Sequence, residues 1–111
     1  MKNAKTSLGI EENIEGLLCY LLVWISGIVF ILIEKDNKFV RFHAFQSTIV
    51  FLALTVISFV LNVIPVFGSL MSALIGILVL ILWVFLMYKA YNGEKFRMPV
   101  AGDLAEKYSG M

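Results

Sequence analysis

Two long tracts without a charged side chain constrain this chain more than any other feature. Residues 16–33 contain no Asp, Glu, Lys or Arg, and the same holds for residues 42–88. An α-helix rises about 1.5 Å per residue, so roughly 20 apolar residues cross the hydrocarbon core of a bilayer. The first tract is long enough for one crossing, and the second is long enough for two.

The composition agrees with a membrane environment. Hydrophobic residues make up 60% of the chain and charged residues 15%, whereas ordinary globular proteins have roughly 45–50% and about 25%. A chain of 111 residues is too short for two independent cores, so residues 1–111 are expected to form one domain. The predicted fold class is an all-α membrane protein.

Three transmembrane helices are predicted, at about residues 14–33, 39–63 and 68–91. A hydrophilic turn separates the first two, and Pro65, which has no backbone N–H, ends the second. Asn92-Gly93 is typical of the left-handed end of a helix, and it closes the third.

A short amphipathic segment is predicted at residues 99–108. Val100, Leu104 and Tyr108 recur every four residues, which places them on one face of a helix. We interpret the segment as a helix lying on the inner surface of the membrane. A docking helix for a cytoplasmic partner is the alternative.

Basic residues near helix ends predict the orientation, because they are retained on the cytoplasmic side. Lys2 and Lys5 precede the first helix. The opposite side would carry all the other basic residues, which are Lys35, Lys38, Arg41, Lys89, Lys95, Arg97 and Lys107. The expected localisation is therefore the cell membrane, multi-pass, with the N-terminus outside and the C-terminus cytoplasmic.

Neither catalysis nor cofactor binding is indicated. His43 is the only histidine, and we expect it about one turn into the second helix, where headgroup water can hydrate it. The sequence offers no nucleophile and base pair, no metal-ligand spacing and no phosphate loop. We therefore expect no enzyme, no cofactor and no metal. The net charge of +1 also argues against a nucleic-acid partner.

Small and weakly polar residues mark the faces where membrane helices pack. They are spaced for packing on the third helix at Gly68, Ser72 and Gly76, and on the second helix at Thr48, Thr55 and Asn62. The simplest interpretation is a three-helix bundle. The alternative is an oligomeric pore lined by Thr48, Thr55 and Asn62, because three helices enclose no aqueous lumen.

A polar cluster is expected at the inner membrane face. Its members are Lys35, Lys38, Arg41, His43, Gln46, Lys95 and Arg97. We interpret the cluster as an anchor on anionic lipid headgroups, where each basic residue contributes about 1 kcal/mol. A recognition surface for a homo-oligomer or another membrane protein is the alternative.

Residues 34–47, with the motif Phe-Val-Arg-Phe-His-Ala-Phe-Gln at 39–46, resemble the signature of a family of small uncharacterised prokaryotic membrane proteins. Residues 16–22, 92–99 and 102–107 resemble the same family. That family is in turn similar to the twenty-kilodalton subunit of the protein translocon in the inner chloroplast envelope. The resemblance implies a multi-helix membrane fold and a role in protein translocation, and it carries no catalytic residue.

The leading functional hypothesis is a non-enzymatic membrane subunit, scaffold or translocation accessory. An oligomeric uncoupled pore or passive transporter is the first alternative. A holdin-like protein that permeabilises membranes is the second.

Overall fold

Five helices form the part of the protein that our computed structural model describes, residues 9–109. They are α1 (Glu12–Leu21), α2 (Trp24–Ile33), α3 (Lys38–Leu61), α4 (Phe67–Tyr91) and α5 (Ala101–Ser109). The all-α prediction is confirmed. By length and composition, α3 and α4 are the two helices that can cross a membrane, and they match the second and third predicted helices closely.

The first predicted transmembrane helix, residues 14–33, is not confirmed, because this stretch does not form one continuous helix. The chain breaks between α1 and α2, where Val23 has a φ of 50°, a conformation that β-branched residues rarely adopt. Each of the two helices has 10 residues and rises about 15 Å, half of a hydrocarbon core. Neither helix can cross a bilayer alone.

Helices α1 and α2 instead form a hairpin beside the first half of α3. The Asn37 side chain donates a hydrogen bond to Glu12 at the start of α1 (3.0 Å), and the Asn37 backbone N–H donates to Glu34 after α2 (3.1 Å). At the bend, the Ser47 hydroxyl donates to the carbonyl of Val23 (2.7 Å). The hairpin therefore begins and ends beside the start of α3, and its bend lies near the middle of α3.

Side chains bind the backbone groups that the bend releases from helical pairing. The Ser26 hydroxyl accepts from the backbone N–H of Leu22 (3.0 Å) and donates to the carbonyl of Cys19 (2.8 Å). The indole N–H of Trp83 in α4 donates to the carbonyl of Tyr20 (2.7 Å). Unpaired backbone groups cost several kcal/mol away from water. The side chains of Ser26, Ser47 and Trp83 pair these groups and so permit a bend inside an apolar tract.

Both ends of the described chain lie at the same end of the molecule. The Asn13 side chain donates to the carbonyl of Tyr91 (2.8 Å), which joins the start of α1 to the end of α4. This arrangement differs from the predicted placement of the N-terminus and the C-terminus on opposite sides, and the orientation itself stays a prediction. Lys2 and Lys5, on which that prediction rested, lie outside the described residues. We call this end, with Lys38 and Lys89, the basic end.

Helices α3 and α4 touch at the far turn (residues 62–66) and separate toward the basic end. A Cβ at Gly68 would overlap the carbonyl of Leu61, and the Ser72 hydroxyl donates to the carbonyl of Ser58 (3.1 Å). Gly68 and Ser72 therefore lie against α3, whereas a Cβ at Gly76 would meet no atom within 4 Å. Toward the basic end α1 lies between the two long helices.

Helix α5 packs along α3 through a different face from its predicted apolar stripe. Small residues, Ala101, Gly102, Ala105 and Ser109, are buried, whereas the predicted apolar stripe of Val100, Leu104 and Tyr108 is exposed. The Tyr108 ring lies 6.1 Å from the ring of Phe45 in α3. The segment predicted at 99–108 is thus a helix from residue 101, held by its small side chains.

Gly27→Ala is expected to destabilise the hairpin. A Cβ there would lie 2.6 Å from the Thr48 hydroxyl and 2.8 Å from the Ala44 carbonyl, so α2 and α3 must separate, at a cost of about 1–3 kcal/mol. Gly76→Ala is the matched control, because it makes the same helical substitution in open space. Thermal unfolding in detergent measures both, and equal melting temperatures would contradict this packing.

Candidate functional site

A buried polar network joins α1, α3 and the segment that follows α4. The His43 and Gln46 side chains are fully buried, so the prediction that headgroup water hydrates His43 is wrong. The Tyr20 hydroxyl lies 2.7 Å from Nδ1 of His43, and Nε2 of Gln46 donates to the same hydroxyl (3.0 Å). One tyrosine thus connects two residues that lie one turn apart on α3.

The network has one consistent arrangement of protons. Nε2 of His43 lies 3.0 Å from the carbonyl of Glu94, and because a carbonyl only accepts, Nε2 carries the hydrogen. The Tyr20 hydroxyl accepts from Gln46 and donates to Nδ1 of His43. Each polar atom of the His43 ring is then satisfied with the imidazole neutral.

The carboxamide of Gln46 binds the chain's own backbone. Its Nε2 donates to the carbonyl of Phe96 (2.7 Å), and its Oε1 accepts from the backbone N–H of Met98 (2.9 Å). With His43 on Glu94, the network contacts every second residue of segment 94–98, which we call the strap. The Gln46 side chain thus makes the two backbone hydrogen bonds with the strap that a neighbouring β-strand would make.

Aromatic rings exclude water from this network. The Phe39 and Phe42 rings lie 4.6 and 5.2 Å from the His43 ring, both edge to face, and the Phe96 ring packs on Phe85 at 4.9 Å. Hydrogen bonds in such a dry environment hold their geometry more strongly than in water. The arrangement can position the strap firmly against α3, because all its polar partners come from the chain itself.

The predicted inner-face cluster divides into three groups. Lys35, Lys38 and Lys95 are exposed at the basic end, whereas Gln46 and His43 hold the strap. Two residues make specific internal contacts. Arg41 donates to the carbonyls of Glu34 (2.9 Å) and Ile31 (3.3 Å) and so caps α2, and Arg97 pairs with Glu106 of α5 (2.6 Å), which raises the pKa of its guanidinium.

Two residues of this site, Glu34 and Tyr20, were not predicted from the sequence. Glu34 is fully buried, and its Oε2 accepts from the backbone N–H groups of Asp36 (3.3 Å) and Asn37 (3.1 Å). An acidic residue followed three positions later by Asn at a helix start is the signal that points to the Glu34 turn.

The predicted pore-lining residues do not all meet. Thr55 and Asn62 border a groove of about 280 Å³ between the far halves of α3 and α4, together with Ser58 and Gly76. The Thr48 hydroxyl instead donates to the carbonyl of Ala44 (2.9 Å) and lies against Gly27. Because α1 and α2 end below this groove, it occupies the place where a full-length first helix would pack.

Among residues 9–109, no group of three or more His, Cys, Asp and Glu side chains could hold a metal ion. Cys19 is buried, and its thiol lies 3.6 Å from the carbonyl of Val40. This contact is consistent with the packing role that a buried cysteine usually has.

Gln46→Leu is expected to release the strap. The substitution leaves the Phe96 carbonyl and the Met98 N–H unpaired, and two lost hydrogen bonds correspond to roughly 1–3 kcal/mol, or about 5- to 150-fold more of the open form. Limited trypsin digestion measures the release of the strap, since Lys95 and Arg97 both lie in it. Ser72→Ala, which removes one bond at the far turn, is the control. Unchanged cleavage in Gln46→Leu would contradict the role of Gln46.

Comparison with known proteins identifies the family. Residues 11–105 match the model of the magnetosome magnetite crystal formation protein family. The UPF0132 membrane protein MJ1443 of Methanocaldococcus jannaschii is 56% identical over 95% of this chain and 94% of its own length. The UPF0132 membrane protein MJ1527 of the same organism is 52% identical over 92% of this chain and 73% of its own length.

A UPF0132 membrane protein of Archaeoglobus fulgidus is 46% identical over 91% of this chain and 98% of its own length. No solved structure matches the chain. The names of these relatives describe membrane proteins and do not mention the chloroplast translocon, so that relation stays a prediction. The matched residues include every helix from α1 to α4 and the whole strap, and the chain therefore belongs to the magnetosome magnetite crystal formation protein family, with archaeal membrane proteins as relatives.

Proposed function

We propose that this chain is a non-enzymatic membrane subunit that works through contacts between helices. One observation carries the proposal: the buried polar side chains at the basic end bind the chain's own hairpin and strap. The rest of the surface is largely apolar, with exposed Leu70, Leu74 and Ile77 on α4 and exposed Val56 and Phe59 on α3. Such a surface associates laterally with lipid or with other helices.

The proposed topology has two crossings, α3 and α4, and a re-entrant hairpin formed by α1 and α2. Irregular backbone is tolerated at membrane depth where protein covers it, and Ser26 and Trp83 supply that cover at the bend. All basic residues of the described part lie at or toward the basic end, and the far turn has none. The positive-inside rule then places both ends of the chain in the cytoplasm.

Cysteine labelling tests this topology. In a Cys19→Ser background, single cysteines replace Glu11 before α1, Val66 at the far turn or Glu94 in the strap, three exposed positions. A maleimide that cannot cross membranes is expected to label only Val66→Cys in intact cells and all three after permeabilisation. Three crossings, with residues 14–33 as a complete transmembrane helix, would instead give external labelling at Glu11→Cys.

A pore is the second candidate function, and the groove lined by Thr55, Ser58 and Asn62 favours it. If the chain is a scaffold, proteoliposomes that contain it are expected to be as impermeable to small ions as empty vesicles. A pore would conduct small ions, and Asn62→Leu, which removes a polar group from the groove, would reduce that flux. Ion flux that depends on Asn62 would therefore replace the scaffold proposal.

Two finer roles remain alternatives within these proposals. A translocation accessory, which the sequence resemblance implies, is one form of a scaffold, and a holdin-like permeabiliser is one form of a pore. The family description refers to magnetite crystal formation, and from it we carry over only the membrane character that the archaeal relatives share.

A further inference from the structure

The strap and α5 lie beside the part of α3 that crosses the membrane in the proposed topology. The charge-free tract begins at Phe42, and Ala101 at the start of α5 borders an apolar groove with Ala53 and Leu54. Ala53 is 11 residues beyond Phe42 (53 − 42), a rise of about 16 Å. Helix α5 then returns toward the basic end, where Tyr108 meets Phe45.

Charged side chains are exposed on this side of the molecule. The Asp103 side chain is 74% exposed and that of Arg97 is 49% exposed, and Lys107 is exposed too. Lysine and arginine can extend toward headgroups, but the short side chain of Asp103 cannot. Helix α2, on another side of α3, presents apolar Ile25, Val29 and Leu32 between the bend and the basic end.

A lipid environment therefore suits α2 and does not suit α5. A charged side chain facing hydrocarbon costs at least about 2.5–3.5 kcal/mol, and the extended backbone of the strap is tolerated at this depth only when protein or a water-filled cavity covers it. A bilayer whose cytoplasmic surface lay at the level of Ala53 would leave α5 outside the hydrocarbon. However, only about 12 Å of α3 remains between Ala53 and Leu61, which is too short to cross a bilayer.

We propose that a second copy of this chain covers the α5 side, so that the exposed faces of α5 meet within an oligomer. The charges favour this occupant over an anionic lipid surface. Arg97 of the strap pairs with both Asp103 (3.7 Å) and Glu106 (2.6 Å) of α5, and with Lys107 these two acids and two bases form a neutral patch. A neutral patch with both signs complements its own copy, whereas anionic headgroups attract a net positive one.

The exposed apolar stripe gives this interface its hydrophobic part. Val100, Leu104 and Tyr108 are exposed and lie next to Asp103 and Lys107 on the helix surface. Copies with the same orientation in a membrane are related by rotation about its normal, so equivalent residues near the axis approach one another. Leu104 and Lys107 both lie on the exposed face of α5.

Disulfide trapping in native membranes tests this interface, which rests on the proposed two-crossing topology. In the Cys19→Ser background, Leu104→Cys and Lys107→Cys are expected to form disulfide-linked dimers under mild oxidation. Leu32→Cys on α2 is the control, because Leu32, at 63%, is more exposed than Leu104, at 37%. Since a disulfide requires Cα atoms within about 7 Å, we expect roughly tenfold more dimer at the two α5 positions than at Leu32.

A fluorophore attached at position 104 separates the other outcomes. If neither α5 cysteine forms dimers and a lipid-confined quencher quenches the fluorophore, α5 faces lipid and the proposal is overturned. Quenching by a water-soluble quencher without dimers would overturn it as well, in favour of a monomer. The maleimide labelling of Glu11, Val66 and Glu94 is scored separately, so failure of the interface and failure of the topology are distinguished.

Discussion

The need to pair every backbone hydrogen-bonding group away from water governs this structure. A helix meets the requirement by itself, which explains why α3 and α4 can stand with much of their surface exposed. The bend at Val23 and the extended strap do not meet it, and each depends on side chains from elsewhere in the chain. Ser26, Ser47 and Trp83 serve the bend, and Gln46 and His43 serve the strap.

These two irregular segments share one physical solution. In both, a side chain on a long helix substitutes for the backbone partner that a regular element would supply. Helix α3 provides most of these side chains, since Ser47 reaches the bend while His43 and Gln46, within one turn, reach the strap. The first half of α3 is consequently the organising element of the molecule, and the motif of residues 39–46 that marks the sequence lies within it.

The sequence predicts the regular parts of this fold and fails at the irregular ones. Hydropathy locates α3 and α4 because a long apolar helix needs no information from other segments. It cannot reveal the bend at Val23, because residues 14–33 are apolar enough for a straight helix and the partner that stabilises the bend, Trp83, is distant in sequence. The same reason explains the misjudged burial of His43, whose partners are Tyr20 and a backbone carbonyl. Gly68 and Ser72 could be proposed as packing positions from the sequence because small residues mark close helix contacts.

The bond between the Trp83 indole and the carbonyl of Tyr20 also has a consequence for biosynthesis. A ribosome completes residues 14–33 long before it reaches Trp83, so the hairpin lacks this partner while the first apolar tract is emerging. Until α4 is made, the carbonyls of Tyr20 and Leu21 lack the donor that Trp83 supplies, and only the Val23 N–H donates to Tyr20. The full set of partners at the bend is therefore complete only when α4 arrives.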